Sequence, residues 1–233
     1  MKLLWQQIGS TAITDILSES DMDGVVLDLE HGVFNNETIC DCIRIINLKG
    51  KKSFVRLKNV TDTGLFGMVL DANVGGIILS TVDSLSQAMC FSRMCNYPKN
   101  HGIRGQGLVR ENWWGEKPFE FRKPIMVAQI ESKNGVENLQ NLYNSYENDI
   151  DYYLIGPYDL SASLGHPGDF NNQKYKNAIS KIEETVPSEK IGYHIVKGIE
   201  VLYAEYKKYG LLAFGLDTLM LIDGTKRIKE AIK

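Results

Sequence analysis

Cysteine and proline are scarce: four and six among 233 residues. Neither Cys40 with Cys42 nor Cys90 with Cys95 has the C-x-x-C spacing of a zinc or redox site, so the four read as reduced thiols and not as a disulfide framework. No apolar run reaches the roughly 18 residues of a membrane span. The opening Met1-Lys2-Leu3-Leu4-Trp5-Gln6-Gln7 turns polar too early for a secretory signal, and a cytoplasmic location is the expectation. Gly-x-Gly-x-x-Gly and P-loop patterns are missing, which argues against dinucleotide and NTP chemistry. An excess of either charge is lacking too. The 26 basic and 29 acidic residues leave a net −3, which excludes a general nucleic-acid footprint. The basic tail Lys226-Arg227-Ile228-Lys229-Glu230 reads as a solvated helix end suited to the macrodipole.

Against these absences stands 43% hydrophobic content, too much for a disordered chain. It is arranged as short apolar runs alternating with helical periodicity. Strands are predicted at Leu3–Ile8, Gly24–Glu30, Ser53–Leu57, Gly76–Ser80, Ile125–Glu131, Tyr152–Gly156, Ile191–Val196 and Leu212–Leu216. Helical patterns follow each one, at 11–20, 36–48, 62–72, 84–95, 136–146, 173–185, 199–209 and 224–232. Eight such units are the number that closes a (β/α)8 TIM barrel, here as a single domain over residues 1–233. Only Tyr97–Lys123, rich in Gly, Arg and Trp, is long enough to suggest a functional loop.

In such barrels chemistry sits at the carboxyl ends of the strands. Those ends carry Asp28-Leu29-Glu30-His31-Gly32, Arg56, Gln129-Ile130-Glu131 and Gly156-Pro157-Tyr158-Asp159. Alternation puts Asp28 with Glu30, and Gln129 with Glu131, on one face. Singly, each reads as a solvated strand-end residue or a helix cap; together they read as a site. Glu131 and Asp159 are hard oxygen ligands, and two carboxylates plus water and substrate oxygens suit Mg²⁺, Mn²⁺ or Co²⁺. Arg56 offers a fork for a carboxylate, and His31 is the natural base. Metal, clamp and base point to a 2-oxo acid chelated through its keto and carboxylate oxygens and converted to a stabilised enolate.

The same residues resemble those of the HpcH/HpaI family of metal-dependent pyruvate aldolases. The matched pieces, in order, are Asp28-Leu29-Glu30-His31-Gly32, Val55-Arg56, Leu70-Asp71, Gly102-Ile103-Arg104-Gly105, Gln129-Ile130-Glu131 and Gly156-Pro157-Tyr158-Asp159-Leu160-Ser161. Together with Trp5 they span almost the whole chain. The resemblance implies a TIM barrel that exchanges its last helix with a neighbour, in a homo-oligomer built as a trimer of dimers. It implies reversible class II aldol cleavage of a 4-hydroxy-2-oxo acid to pyruvate, or a close 2-oxo acid, and an aldehyde, with no nucleic-acid or membrane partner. Glu131 and Asp159 would hold the divalent ion, and Gln129 and the Tyr158 backbone would touch substrate. Arg56 would bind the pyruvate part, and His31 paired with Asp71 would move the 4-hydroxyl proton, with Trp5, Asp28 and Glu30 in support. Departures are Asn73-Val74 where Gly-Ala is usual, Ser80 in place of a proline, and one proline too few in Tyr97–Gly102. The last two are expected around the mouth and its long loop.

Rival readings are a CoA-thioester lyase of the citrate- or malyl-CoA type, for which the chain looks short, and a non-catalytic barrel that binds a 2-oxo acid. Lys58, two residues past Arg56, raises a Schiff-base route that the carboxylate pair disfavours. His194 reads equally as a mouth residue or a packed ring. Asp217 reads as a helix cap, and Trp113 and Trp114 as interface packing in preference to a lid. Arg104 is open between ligand binding and loop structure.

Overall fold

The apolar runs pair in the order in which they occur. In the computed structural model, which describes residues 1–232, the strands are β1 (Lys2–Gln6), β2 (Gly24–Asp28), β3 (Lys52–Leu57), β4 (Gly76–Leu79), β5 (Ile125–Ile130), β6 (Tyr152–Ile155), β7 (Ile191–Ile195) and β8 (Leu211–Phe214). They form a closed parallel barrel in which β8 returns to β1. The helices between and after them are α1 (Thr11–Ser18), α2 (Asn36–Leu48), α3 (Thr63–Asp71), α4 (Leu85–Cys95), α5 (Lys133–Tyr146), α6 (Pro157–Ser163), α7 (Gln173–Thr185), α8 (Ile199–Tyr206) and α9 (Asp217–Ala231). This is the (β/α)8 TIM-barrel fold that the alternation predicts.

Period-two alternation splits each strand between two apolar layers. Leu3, Trp5, Val26, Phe54, Ile78, Val127, Leu154, Leu211 and Ala213 fill the barrel. The opposite faces pack on the helices through residues such as Ile43, Ile46, Phe66, Phe91 and Leu139. Gly76 is required here, because a Cβ on it would press into the Phe54 ring, 2.9 Å from Cζ. Side-chain caps start the helices where the sequence supplies them: Asn35 on Thr38 N, Asp62 on Leu65 N, Ser84 on Gln87 N and Ser132 on Gly135 N. The four cysteines are free thiols, and no described helix is long and apolar enough to cross a membrane.

Several boundaries differ from expectation. β2 stops at Asp28 and β5 at Ile130, so Glu30 and Glu131 sit just past their strands. The stretch after β6 is a short helix, α6, that starts at Pro157, which suits a first helical turn. α9 begins seven residues before Gly224, at Asp217, whose carboxylate accepts the amides of Gln7 (2.9 Å), Ile8 (3.0 Å) and Thr218 (2.8 Å). Asp217 is therefore not the helix cap expected from sequence, a position that Leu216 takes, but the first helical residue, and its carboxylate ties the start of α9 to the end of β1.

The long segment 97–123 requires a larger correction. It joins the end of α4 to the start of β5, and helices return the chain to the amino ends of the strands. It therefore lies at the end of the barrel opposite the mouth and cannot lid its own chain's mouth. Trp113 and Trp114, half-exposed and with positive φ, are on that far side. Arg104 belongs to the structure of this segment: buried, it stacks on Tyr97, pairs with Glu111 at 2.7 Å and donates to the Leu70 carbonyl. Asn73 takes the left-handed conformation (φ 66°), so its turn survives the loss of glycine.

Candidate active site

Parallel register sets the first layer of the mouth. Asp28 on β2 is the Cα partner of Arg56 on β3, and both side chains point inward. Arg56 donates from Nε to Asp28 Oδ1 at 2.8 Å and from Nη2 to Oδ2 at 2.6 Å, a two-bond fork, while Nη1 lies 3.0 Å from Glu30. Trp5 adds its indole N–H to Asp28 (3.2 Å) and its ring beneath the guanidinium, 4.9 Å away. The amides of Glu30 and His31 also reach Asp28 Oδ1, at 3.0 and 3.2 Å, and Gln7 Nε2 reaches Oδ2 at 3.3 Å. Burial pushes the Asp28 carboxyl up, but Arg56, Trp5 and the His31 amide outweigh it and hold it down at about 2. For Arg56, burial opposes the charge, yet Asp28 and then Glu30 and Glu131 raise its pKa. A guanidinium has five N–H groups, so donors on Nη1 and Nη2 remain for a ligand.

The second layer comes from β4, β5 and α6. Gln129 Nε2 donates to Glu131 Oε2 at 2.5 Å, and the other oxygen, Oε1, accepts both Thr81 N (2.9 Å) and Thr81 Oγ1 (2.8 Å). Thr81 does this from φ 50°, an unusual conformation for a β-branched residue. Its neighbour Ser80 donates to Glu30 at 2.6 Å. Gly156 keeps this corner open, since a Cβ there would collide with Glu131 Oε2 and come within 2.7 Å of Gln129 Nε2. Burial pushes the Glu131 carboxyl up, the Thr81 hydroxyl pulls it back, and the charges of Asp159 and Glu30 raise it again, to about 7.

These layers border a cavity of about 410 Å³ lined by His31, Arg56, Gln129, Tyr158 and Asp159 among others. A larger cavity of about 490 Å³, near Lys52, Arg104 and Arg122, lies at the amino ends of the strands and contains none of the predicted site residues. The mouth is where the chemistry converges. Its oxygen-rich corner fits a hard divalent cation in kind: two neighbouring carboxylates, Glu131 and Asp159, repel each other, and Gln129 Oε1 is buried there with no partner. Among the described residues no third His, Cys, Asp or Glu completes a cage, so water and substrate oxygens would have to supply the remaining positions.

Most of the predicted site residues meet in this mouth; one does not. Asp71 ends α3, exposed, five residues before β4, so it sits at the amino end of the barrel while His31 sits at the carboxyl end. The two do not pair within one chain. Lys58 is exposed past β3 and does not line the cavity. Sequence reasoning missed Thr81, Ser80 as a hydrogen-bond donor, and Gln7. Gln7 carried a weak signal, a polar residue following the β1 run, whereas nothing local marked Thr81.

Comparisons with known proteins agree with this fold. The sequence profile described as HpcH/HpaI aldolase/citrate lyase matches residues 2–215. The chain is 26% identical to a 5-keto-4-deoxy-D-glucarate aldolase of Enterobacter sp. (strain 638), over 98% of this chain and 91% of that protein. It is also 26% identical to a 4-hydroxy-2-oxovalerate aldolase of Rhodococcus jostii (strain RHA1), over 96% and 88%. In fold it is similar to a crystal structure of an HpcH/HpaI aldolase/citrate lyase family protein from Burkholderia cenocepacia J2315. The TM-score is 0.89 at 22% identity, covering 100% of this chain and 94% of that one.

Proposed function

This chain belongs to the HpcH/HpaI aldolase/citrate lyase family, whose named relatives are aldolases that cleave carbon–carbon bonds, and on that premise we propose that it reversibly cleaves a 4-hydroxy-2-oxo acid to pyruvate, or a close 2-oxo acid, and an aldehyde. The observation that carries the reading is Arg56. Its guanidinium is buried, fixed by Asp28 and Glu30, and still has donors free in the cavity that Asp159 and His31 also line.

Glu131 and Asp159 are the residues that would hold a divalent ion, which as a Lewis acid would draw electron density from the 2-oxo acid. Arg56 binds the carboxylate end and stabilises negative charge as it develops on the C2 oxygen. Gln129 and Thr81 fix the position of the Glu131 carboxylate at the edge of the cavity. His31 takes the proton of the 4-hydroxyl, the C3–C4 bond breaks, its electrons pass into the C2–C3 enolate, and the aldehyde departs. The enolate then takes a proton at C3 to give pyruvate. Asp71 would orient His31 only from a second copy of the chain, since within one chain the barrel separates them. An oligomer is supported by α9, where Leu221, Ile222 and Ile228 are exposed, with Ile232 exposed just past its end, an apolar surface suited to exchange with a neighbour.

Deuterium exchange into the methyl group of pyruvate, followed by NMR, tests this without a guess at the aldehyde. Exchange is expected with Mg²⁺ or Mn²⁺, to cease with a chelator, and to vanish in Glu131→Ala and Arg56→Ala. Metal-loaded protein that leaves the methyl group untouched would remove pyruvate as the donor.

A further inference from the structure

The mouth contains one buried titratable ring that this chemistry does not use. His194, on β7, is only 8% exposed. Its ring stacks on Trp5, centroids 4.1 Å apart and planes 18° from parallel, and Nε2 lies 3.1 Å from the Gly215 carbonyl oxygen. A carbonyl only accepts, so Nε2 carries the proton, and in a neutral ring Nδ1 is then a bare acceptor. Burial, helped by the Arg56 charge and opposed by the Gly215 carbonyl and Asp28, holds the ring's pKa down at about 4, so it is neutral near pH 7. Nδ1 has no hydrogen-bond partner among the described residues, and it is not among the fully enclosed unpaired atoms. The ring also lines the same cavity as His31 and Arg56.

Stacking on Trp5 needs only a flat ring, and a phenylalanine would provide it without a lone pair at the cavity. Val196, Leu216 and Leu219 make the nearby wall largely apolar, and of the polar side chains in the same lining Lys197 only donates and Gln7 Oε1 already accepts from Thr218 Oγ1. A hydroxyl entering this region therefore finds His194 as its acceptor. An alkyl group of equal size covers the lone pair and leaves it without water or partner, which is the asymmetry that makes polar discrimination strong.

We propose that His194 Nδ1 accepts a hydrogen bond from a hydroxyl on the aldehyde-derived part of the substrate, so that the enzyme selects hydroxylated aldehydes over alkyl aldehydes of the same size. The proposal rests on the aldol reading above. It assigns His194 to substrate discrimination and not to proton transfer.

Glycolaldehyde and propionaldehyde differ only by a hydroxyl in place of a methyl group. Each is condensed with pyruvate by the metal-loaded enzyme and by His194→Phe, and the ratio of the two kcat/KM values is formed within each protein. The ratio is expected to fall by about 10- to 100-fold in His194→Phe. Pyruvate methyl exchange, measured alongside, reports on the enolate half of the reaction. A ratio that does not move while both proteins exchange pyruvate overturns the role of His194 and leaves the aldol reading standing. Wild-type protein that exchanges no pyruvate overturns both. If His194→Phe does not fold, the wild type decides alone. Methoxyacetaldehyde keeps the oxygen but has no hydrogen to donate, and its use on a par with glycolaldehyde overturns the proposal.

Discussion

A carboxylate with no exposed surface persists in a fold only if its oxygens are filled, and those of Asp28 accept from Trp5, Gln7, Arg56 and two backbone amides. Because its folded pKa is lowered to about 2 from the ordinary 3.8, the stability it contributes is fully present above about pH 4. That contribution is lost as pH falls toward 2, and its size is about 2 kcal/mol. Urea midpoints of wild type and Asp28→Asn should therefore differ at neutral pH and converge as pH falls toward 2; a constant gap would assign the effect to shape and not to charge. Thr81 acts on the opposite corner. Thr81→Val keeps the branched shape and the amide bond but removes the hydroxyl bond to Glu131. Pyruvate exchange should drop by about 10-fold, with stability changed by no more than about 1 kcal/mol, and half-maximal exchange should need more Mn²⁺ than in the wild type. An unaltered titration would make Thr81 a bystander.

At the scale of elements, what could be read from sequence was what local pattern determines. The core of β2 is marked by a run of Val25-Val26-Leu27, and Asn35 and Ser84 stand where the helical patterns at 36 and 84 begin, whereas α5 starts at Lys133 behind Ser132, three residues before the pattern expected from 136. Inward-facing Asp28, Arg56 and Gln129 follow from alternation once the strands are known. The start of α9 was only partly legible: Asp217 read as a polar residue at a helix start, but Gly224 interrupts the pattern that follows and the helix was expected only from 224. The carboxylate that anchors it serves amides more than 200 positions earlier. Thr81 was invisible for the same reason, its partner being 50 residues away. α9 also makes a prediction of its own. Leu221 and Ile228 are exposed and recur at i and i+7 on one stripe of the helix, which Ile232 extends just past its end. If that stripe is covered by another copy, Leu221→Asp with Ile228→Asp should reduce the particle seen by light scattering toward the 26.3 kDa monomer. A wild type that already runs as a monomer would show that nothing covers it.

For the whole molecule, the consequence of eight parallel strands is that everything preceding a strand collects at one end and everything following a strand at the other. His31 follows β2 and Asp71 precedes β4, so no adjustment of loops in one chain brings the carboxylate to the ring. The same separation puts Asp71, the 97–123 segment and the exposed Trp113 and Trp114 on a single face. A neighbour that docks this face against a mouth would bring a carboxylate to His31. This makes the arrangement testable by mixing. His31→Ala and Asp71→Asn proteins should each be nearly inactive in cleavage, and co-refolding them in equal amounts should restore activity at sites formed from the intact half of each. Random assembly gives about a quarter of the sites both functional groups, so recovery toward about 25% of wild type is expected. If the pair acted within one chain, every site in the mixture would lack one group, and no recovery at any ratio would place the partner of His31 elsewhere.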